Sequence, residues 1–404
     1  MPVKPMMKVL HRKGESRPFF DCDRFKRPGS SGFRLQSPKN GLSREKNSMM
    51  RLRNWFAVCV VLALTFIPLG QTATADGPAF NYTFTTPLFG LATSSNGSLL
   101  VADAGAGIVE LRKGTGRLRV ELPGVADIAP TGPGTMFAIT GGGEGETAGM
   151  LFHVKKWELH PLANLMAFEA EINPDGGAID SNPFDVAALS RTQALVADAG
   201  GNSILIADMN GNIDWVATLP SQLGSTENIK QLLSCPDAPP DLAFVCDLPE
   251  MIPAEPVPSS VAVGPDGAYY VGELTGFPGT KGISRIWRIE PGTLHAQCGS
   301  DPACTVVADG FTSVVDLNFG PDGTLYVTEI DEASFMAVEL AGFGLFVMEG
   351  GTVNTCDSAT WDCSILAGGL MIPIATTVGT DGMVYAAVNA LMPDGQVISL
   401  APAP

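Results

Sequence analysis

Histidine is nearly absent from this 404-residue chain: there are four in all, and beyond residue 75 only His153, His160 and His295. With so few imidazoles, and no cysteine pair spaced C-x-x-C beyond the signal segment described below, a zinc centre has little to be built from. No G-x-S-x-G elbow, H-E-x-x-H, P-loop or dinucleotide fingerprint is present, so nucleophilic Ser or Cys catalysis is unsupported. Basic residues are scarce as well. Of 25 Lys and Arg, 14 lie in residues 1–75, and of 42 Asp and Glu only 4 do; the rest of the chain carries 11 basic against 38 acidic side chains, a formal charge of −27. Such a surface repels nucleic acid and anionic lipid headgroups and favours cations or basic partners.

The basic N-terminal part divides in two. Arg51 and Arg53, an apolar run over residues 55–67 and the small-residue site Ala73-Thr74-Ala75 read as a secretory signal over residues 49–75, cleaved after Ala75. The run falls short of the roughly 20 apolar residues of a membrane helix, so no stable span is expected after cleavage. Residues 1–48, rich in Pro, Gly and Ser, are expected to be a non-native or disordered extension ahead of an initiator at Met49 or Met50. The product would be secreted or periplasmic. Six cysteines beyond the signal agree with export, because they fall in local pairs: Cys235 with Cys246, Cys298 with Cys304, and Cys356 with Cys363.

From residue 76 to 404 the chain repeats. Gly-Pro-Asp-Gly occurs at residues 264–267 and 320–323, each time between a short apolar run and a Tyr-Val strand. The same frame recurs at Gly97, Gly134, Gly267, Gly323 and Gly382, with a glycine-free copy at Thr192. Pro second and Gly fourth suit a type I turn closed by a left-handed residue. Six hairpin copies predict an all-β fold, a six-bladed β-propeller in one domain, with insertions at residues 165–180, 221–256 and 331–345. The last unit has sequence for three strands, so residues 81–85 are assigned as the outer strand that completes the last blade and closes the ring.

Several segments carry a family resemblance: Ser181-Asn182-Pro183-Phe184-Asp185-Val186-Ala187, Leu195-Val196-Ala197-Asp198-Ala199-Gly200-Gly201-Asn202, PSSVAVGPDGAYYVGELTGFP at 258–278 and GFTSVVDLNFGPDGTLYVTEI at 310–330. Over nearly all of residues 80–400 the chain resembles the ScyD/ScyE family, exported propellers with NHL-like repeats named from the gene cluster of a cyanobacterial sunscreen pigment. The resemblance implies an exported propeller and carries no catalytic set with it.

Two register positions are candidates for chemistry. Seven residues before the turn position stand Gly90, Asp127, Asp185, Ser260, Asp316 and Ala375; six after it stand Asp103, Thr140, Asp198, Glu273, Glu329 and Val388. A hairpin folds the two positions against each other, directly opposite or one step off, at the mouth of the central channel, and would set Asp185 beside Asp198 and Asp316 beside Glu329. Like charges facing across a ladder are destabilising. A Ca²⁺ ion drawing on Asp127, Asp185 and Asp316 would offset this, as would a raised pKa on one member of each pair, the usual device of a general acid or base. Asp103, Asp198, Glu273 and Glu329 are candidate ligand-binding residues. The alternative for Asp103 and Asp198 is the structural role of NHL-type repeats, where the Asp of Val-Ala-Asp-x-Gly accepts N–H bonds from the following loop. His153 and His160 read as edge or surface residues, and His295 as part of a cysteine loop. The expected function is binding or accessory, with a protein or small molecule at the acidic mouth and no nucleic acid. The alternative is a metal-dependent hydrolase or lactonase. A purely structural role would follow if residues 331–344 plugged the mouth.

Overall fold

The computed structural model describes residues 80–402, so the expectations for the signal segment and for residues 1–48 fall outside the described residues. No described helix is long and apolar enough to cross a membrane. Six blades of antiparallel strands follow one another along the chain, lettered A to D from the inner strand outward. In blade three, A (Pro183–Ala188), B (Gln193–Asp198), C (Ser203–Asp208) and D (Ile213–Thr218) pair in that order. Blades one, two, four and five repeat the four-stranded order, with A strands at Leu88–Thr93, Val125–Gly132, Pro258–Val263 and Val314–Phe319. The turns follow the predicted chemistry. Gly97, Gly134, Gly267, Gly323 and Gly382 all have φ between 61° and 91°, while at the glycine-free turn Ser190 Oγ accepts the Thr192 N–H at 3.1 Å.

Each seam between neighbouring blades holds one apolar cluster, which explains the near-continuous hydrophobicity of the inner strands. On strand B of blade three, Leu195 and Ala197 pack towards blade four, while Ala194 and Val196 pack towards blade two, and all four are fully buried. Both faces of the strand are therefore interior, and each buried Val or Leu contributes about 1.5–3 kcal/mol. The ring closes through the same kind of seam: Leu88, Leu99 and Val101 of blade one share a cluster with Ala375, Tyr385 and Val397 of blade six.

The closing strand is where the structure departs from expectation. Blade six has three strands among the described residues, Ala375–Val378, Met383–Val388 and Gln396–Pro402, and residues 81–85 do not complete it. Asn81 instead forms a parallel bridge to Thr115 at the edge of blade one, its N–H donating to Gly114 O at 2.7 Å. The cause lies in the aromatics at alternate positions. Phe84 is buried in the six-one seam with Phe80 and Tyr82 packed against it, and Phe80 meets Tyr385 of blade six at 6.2 Å between ring centroids. Burying Phe84, with Phe80 and Tyr82 partly buried against the seam, outweighs the ladder bonds of an exposed edge.

The three insertions lie in D-to-A or B-to-C connections and so share one end of the ring. The first holds helix α1 (Leu165–Ile172), the second a hairpin of Gln222–Ser225 with Met251–Ala254 and helix α2 (Glu227–Leu232), and the third helix α3 (Phe335–Ala341). Helix α1 starts where Asn164 Oδ1 accepts the Ala167 N–H at 2.8 Å and ends at Asn173, left-handed at φ 47°. The three expected disulfides are formed, with Cα–Cα distances of 5.5, 5.0 and 4.1 Å for Cys235–Cys246, Cys298–Cys304 and Cys356–Cys363. Beside the second bridge, Ala296–Gln297 crosses the seam and pairs in parallel with strand D of blade three.

Candidate functional site

The A-strand acids do not face the B-strand acids of their own blade. Asp185 pairs opposite Ala197 and Asp316 opposite Thr328, while Asp198 lies opposite Pro183 and Glu329 opposite Val314. A register irregularity separates the two positions, where strand A carries an extra residue, Phe184 in blade three and Val315 in blade five. The expected repulsion within each blade is therefore absent.

The A-strand side chains reach across the seam to the next blade. Asp127 Oδ2 accepts the Val186 N–H at 3.0 Å, Asp185 Oδ2 the Val261 N–H at 2.7 Å, Ser260 Oγ the Leu317 N–H at 2.8 Å, and Asp316 Oδ2 the Thr376 N–H at 2.7 Å. In every case the donor is the residue just after the next blade's own register position. Four of the six seams are stapled in this way around the axis, and the series stops at Ala375 and Gly90, which have no acceptor to offer. Gly90 has a different use, because any side chain there would run into Asp127 Oδ1.

Like charge gathers between blades instead. Burial, then the charge of Asp185 and a hydrogen bond shared with it, hold the Asp127 carboxyl well above the usual range. Burial, then the charge of Asp185, push Asp316 up to about 8 despite the two donors of Thr376. At neutral pH Asp316 therefore keeps its proton, and Asp127 is shifted in the same direction. Among the described residues, no three His, Cys, Asp or Glu side chains are grouped to hold a metal ion, so Asp127, Asp185 and Asp316 are not a preformed Ca²⁺ cage.

The B-strand acids take their donors from the mouth loops or from strand C of their own blade. Asp103 accepts from Thr85 N at 2.6 Å and Gly105 N at 3.1 Å. Asp198, fully buried, accepts from Ser181 Oγ at 2.6 Å, Asn182 N at 2.7 Å, Gly201 N at 3.0 Å and Gly200 N at 3.2 Å. Glu273 takes Arg285 Nε and Nη2, each at 3.0 Å, and Trp287 Nε1 at 2.6 Å. Glu329 takes the Thr312 N–H, Thr352 Oγ1 at 2.9 Å and Asn354 Nδ2 at 2.6 Å. Burial raises the carboxyls of Asp103, Asp198 and Glu329 while these donors oppose the shift. For Asp103 and Asp198 this is the loop-holding role that NHL-type repeats suggest.

An apolar layer adjoins the axial carboxylates. Phe89, Phe184, Val315 and Ile374, each one residue before a register position, share a cluster with Leu274 and with Phe335 and Val338 of α3. The Phe89 and Phe184 rings lie 5.9 Å apart. Asn228 of α2 holds the start of α3 in place, its Nδ2 donating to Gly279 O at 2.7 Å and to Ala333 O and Ser334 Oγ at 3.0 Å. A recess of about 550 Å³ lies aside in the second insertion, lined by residues that include Glu227, Lys230, Gln231 and Glu250. The histidines take no part: His153 pairs opposite His160 on the outer strands of blade two, and exposed His295 meets Asp214 at 2.7 Å.

No family model matches the chain, and no curated protein matches it significantly. Solved structures do. One is a protein of unknown function from Bacteroides thetaiotaomicron, at 11% identity and a TM-score of 0.50 over 80% of this chain and 72% of that one. A gluconolactonase from Xanthomonas campestris aligns at 14% identity and a TM-score of 0.49 over 83% of this chain and 99% of that one. A putative glucose dehydrogenase from Thermus thermophilus aligns at 16% identity and 0.47 over 80% and 98%. The likeness is one of fold. Chemistry must be read from the residues of this propeller.

Two buried acids lie outside the repeat register: Asp331, fully buried, which accepts the Ala333, Glu349 and Gly350 N–H groups at 2.8, 3.1 and 2.8 Å, and Glu169. Glu169 of α1 is 1% exposed, and burial together with the charges of Asp198, Asp175 and Asp180 pushes it up to about 7. Its signal in the sequence was its place one turn after Leu165, on the apolar face of a short helix.

Proposed function

We propose that this protein is an extracytoplasmic binding or accessory propeller of the ScyD/ScyE type that takes a ligand, a cation or a segment of a partner protein at the mouth of its axis. The observation that carries the reading is the joining of Asp127, Asp185 and Asp316, from three different blades, beside an apolar layer drawn from α3 and the starts of the A strands. Carboxyls that burial and like charge keep protonated suit hydrogen bonding to a polar ligand, and the aromatic layer suits its apolar part. Export is supported by the three disulfides.

A second reading rests on the Asp127–Asp185 pair. A carboxyl that keeps its proton beside one that accepts from it is the arrangement of a general acid, so a hydrolase or lactonase is the alternative. Thermal unfolding in EDTA and then in Ca²⁺, paired with a screen of esters and lactones, separates the two. Binding predicts that Asp185→Asn and Asp316→Asn weaken ligand or partner binding modestly with no turnover to lose. Catalysis predicts that either variant abolishes turnover in a protein that stays folded. A Ca²⁺-dependent rise in Tm lost in both variants would add a cation to the axis; a rise that survives in both places any ion elsewhere.

A further inference from the structure

Strands Gln222–Ser225 and Met251–Ala254 of the second insertion form a two-stranded sheet with one covered face and one open face. The covered face is marked by Gly224, where a side chain would meet Thr280 Oγ1 at 2.6 Å, and by buried Ile252 and Ala254. Period-two alternation sends their neighbours outward. On the open face Leu223, 66% exposed, stands opposite exposed Pro253, and Met251, 48% exposed, stands opposite Ser225. The recess of about 550 Å³ begins where this face ends: Ser225 and Met251 line it together with Glu227, Lys230 and Gln231 of α2 and with Glu250. Its walls are fixed. Thr226, at the start of α2, donates through Oγ1 to Pro249 O at 2.7 Å and through its N–H to Glu250 O at 2.9 Å, and Cys235, which also lines the recess, is tied to Cys246.

Charge decides what such a recess accepts. Residues 221–256 hold six acidic side chains and one basic, Lys230. Five of the acids, Glu227, Asp237, Asp241, Asp247 and Glu250, are exposed, and among the described residues none of the five forms an ion pair. Lys230 donates its Nζ to Leu248 O, and Glu227 Oε1 accepts from the Gln231 amide at 3.0 Å. With two carboxylates in its lining against one ammonium, the recess keeps a net negative charge. An open apolar face beside unanswered carboxylates fits a chain that carries both complements. We propose that the second insertion is a docking site for a basic segment of a partner protein, with apolar side chains of the segment on Leu223, Met251 and Pro253 and a Lys or Arg in the recess against Glu227 and Glu250. A second copy of this chain would bring the same excess of acids and be repelled, as would an anionic lipid surface. This site lies apart from the axis: none of the residues that line the recess belongs to the apolar layer of Phe89, Phe184 and α3.

The test is fluorescence anisotropy of a labelled peptide of alternating lysine and leucine titrated with the full chain, beside two control peptides in which glutamate replaces the lysines or serine replaces the leucines. The lysine–leucine peptide should bind most tightly and lose affinity as salt rises. Glu227→Gln combined with Glu250→Gln should weaken it about tenfold, and Leu223→Ser combined with Met251→Ser should weaken it several-fold. All four side chains are exposed, so both double variants should keep the fold, which circular dichroism checks. No binding to the parent, equal binding of the glutamate–leucine peptide, or affinity unchanged in both double variants overturns the proposal. Loss confined to Asp316→Asn would carry the peptide to the axis, in favour of the axial reading and against this one. Self-association of the parent, or its binding to phosphatidylcholine vesicles, that Leu223→Ser with Met251→Ser abolishes while the peptide fails to bind would give the open face to a second copy or to a membrane and overturn the proposal equally.

Discussion

Asp198 and Asp185 belong to one blade and stand at the same end of the same hairpin, yet they live under different rules. Asp198 is surrounded by donors from two loops, four in all, so its charge is spread over hydrogen bonds within its own blade. Asp185 commits Oδ2 to the Val261 N–H of the next blade and turns towards Asp127 and Asp316, acids like itself. The difference separates structural from available acidity. Where every lone pair has a donor, the carboxylate holds loops together; where donors are few and neighbours are acidic, as around Asp127 and Asp316, the carboxyl is pushed up and offers a proton to a ligand.

The comparison breaks most sharply at Glu273, whose burial is total and whose partner Arg285 is only 17% exposed. Glu273→Ala would strand that guanidinium along with Trp287 Nε1. Loss of one partner of a buried ion pair costs about 3–5 kcal/mol, so a large drop in urea midpoint is expected. Asp198→Ala follows closely, at about 2–4 kcal/mol, because four donors from two mouth loops lose their acceptor at once. If either variant were as stable as the parent, the latch interpretation of the B-strand acids would fail.

A smaller effect is expected at the staples. Ser260→Ala removes the acceptor of the buried Leu317 N–H, one hydrogen bond in one seam, for about 1–2 kcal/mol. Ala375 and Gly90 show that the ring tolerates seams with no such staple, so the loss stays modest.

How much of this was legible in the sequence depends on what sets each feature. The hairpins were legible because turn chemistry is local: Gly-Pro-Asp-Gly needs a left-handed last residue whatever surrounds it, and Gly267 and Gly323 adopt it. The two register positions followed from the repeat. Their partners did not, because the extra residue at Phe184 and Val315 is invisible without the register of both strands, and because the Asp185 to Val261 bond joins residues in different blades. Residues 81–85 misled for a related reason. Alternating aromatics suit a strand, but they suit a seam equally, and only the packing of Tyr385 and Gly116 shows which surface was open to them.

The finest test of the comparison is pH. Asp316, at about 8, keeps in the folded state a proton that the unfolded chain gives up near the ordinary 3.8. Between those values the native state binds more protons, so stability falls as pH rises; the contribution is fully present below about pH 4 and gone above about pH 8. Asp127 acts in the same direction, as do Asp103, Asp198 and Glu329 to the extent that burial outweighs their donors. Urea midpoints at pH 5 and pH 8 should therefore differ, with the acidic value higher. Asp316→Asn keeps an acceptor for Thr376 but cannot ionise, so it should flatten the slope while changing stability at pH 5 by about 1 kcal/mol or less. Were the slope to persist unchanged in Asp316→Asn and vanish in Asp198→Asn, the proton store would belong to the latches, and the division between the two sets of acids would have to be redrawn.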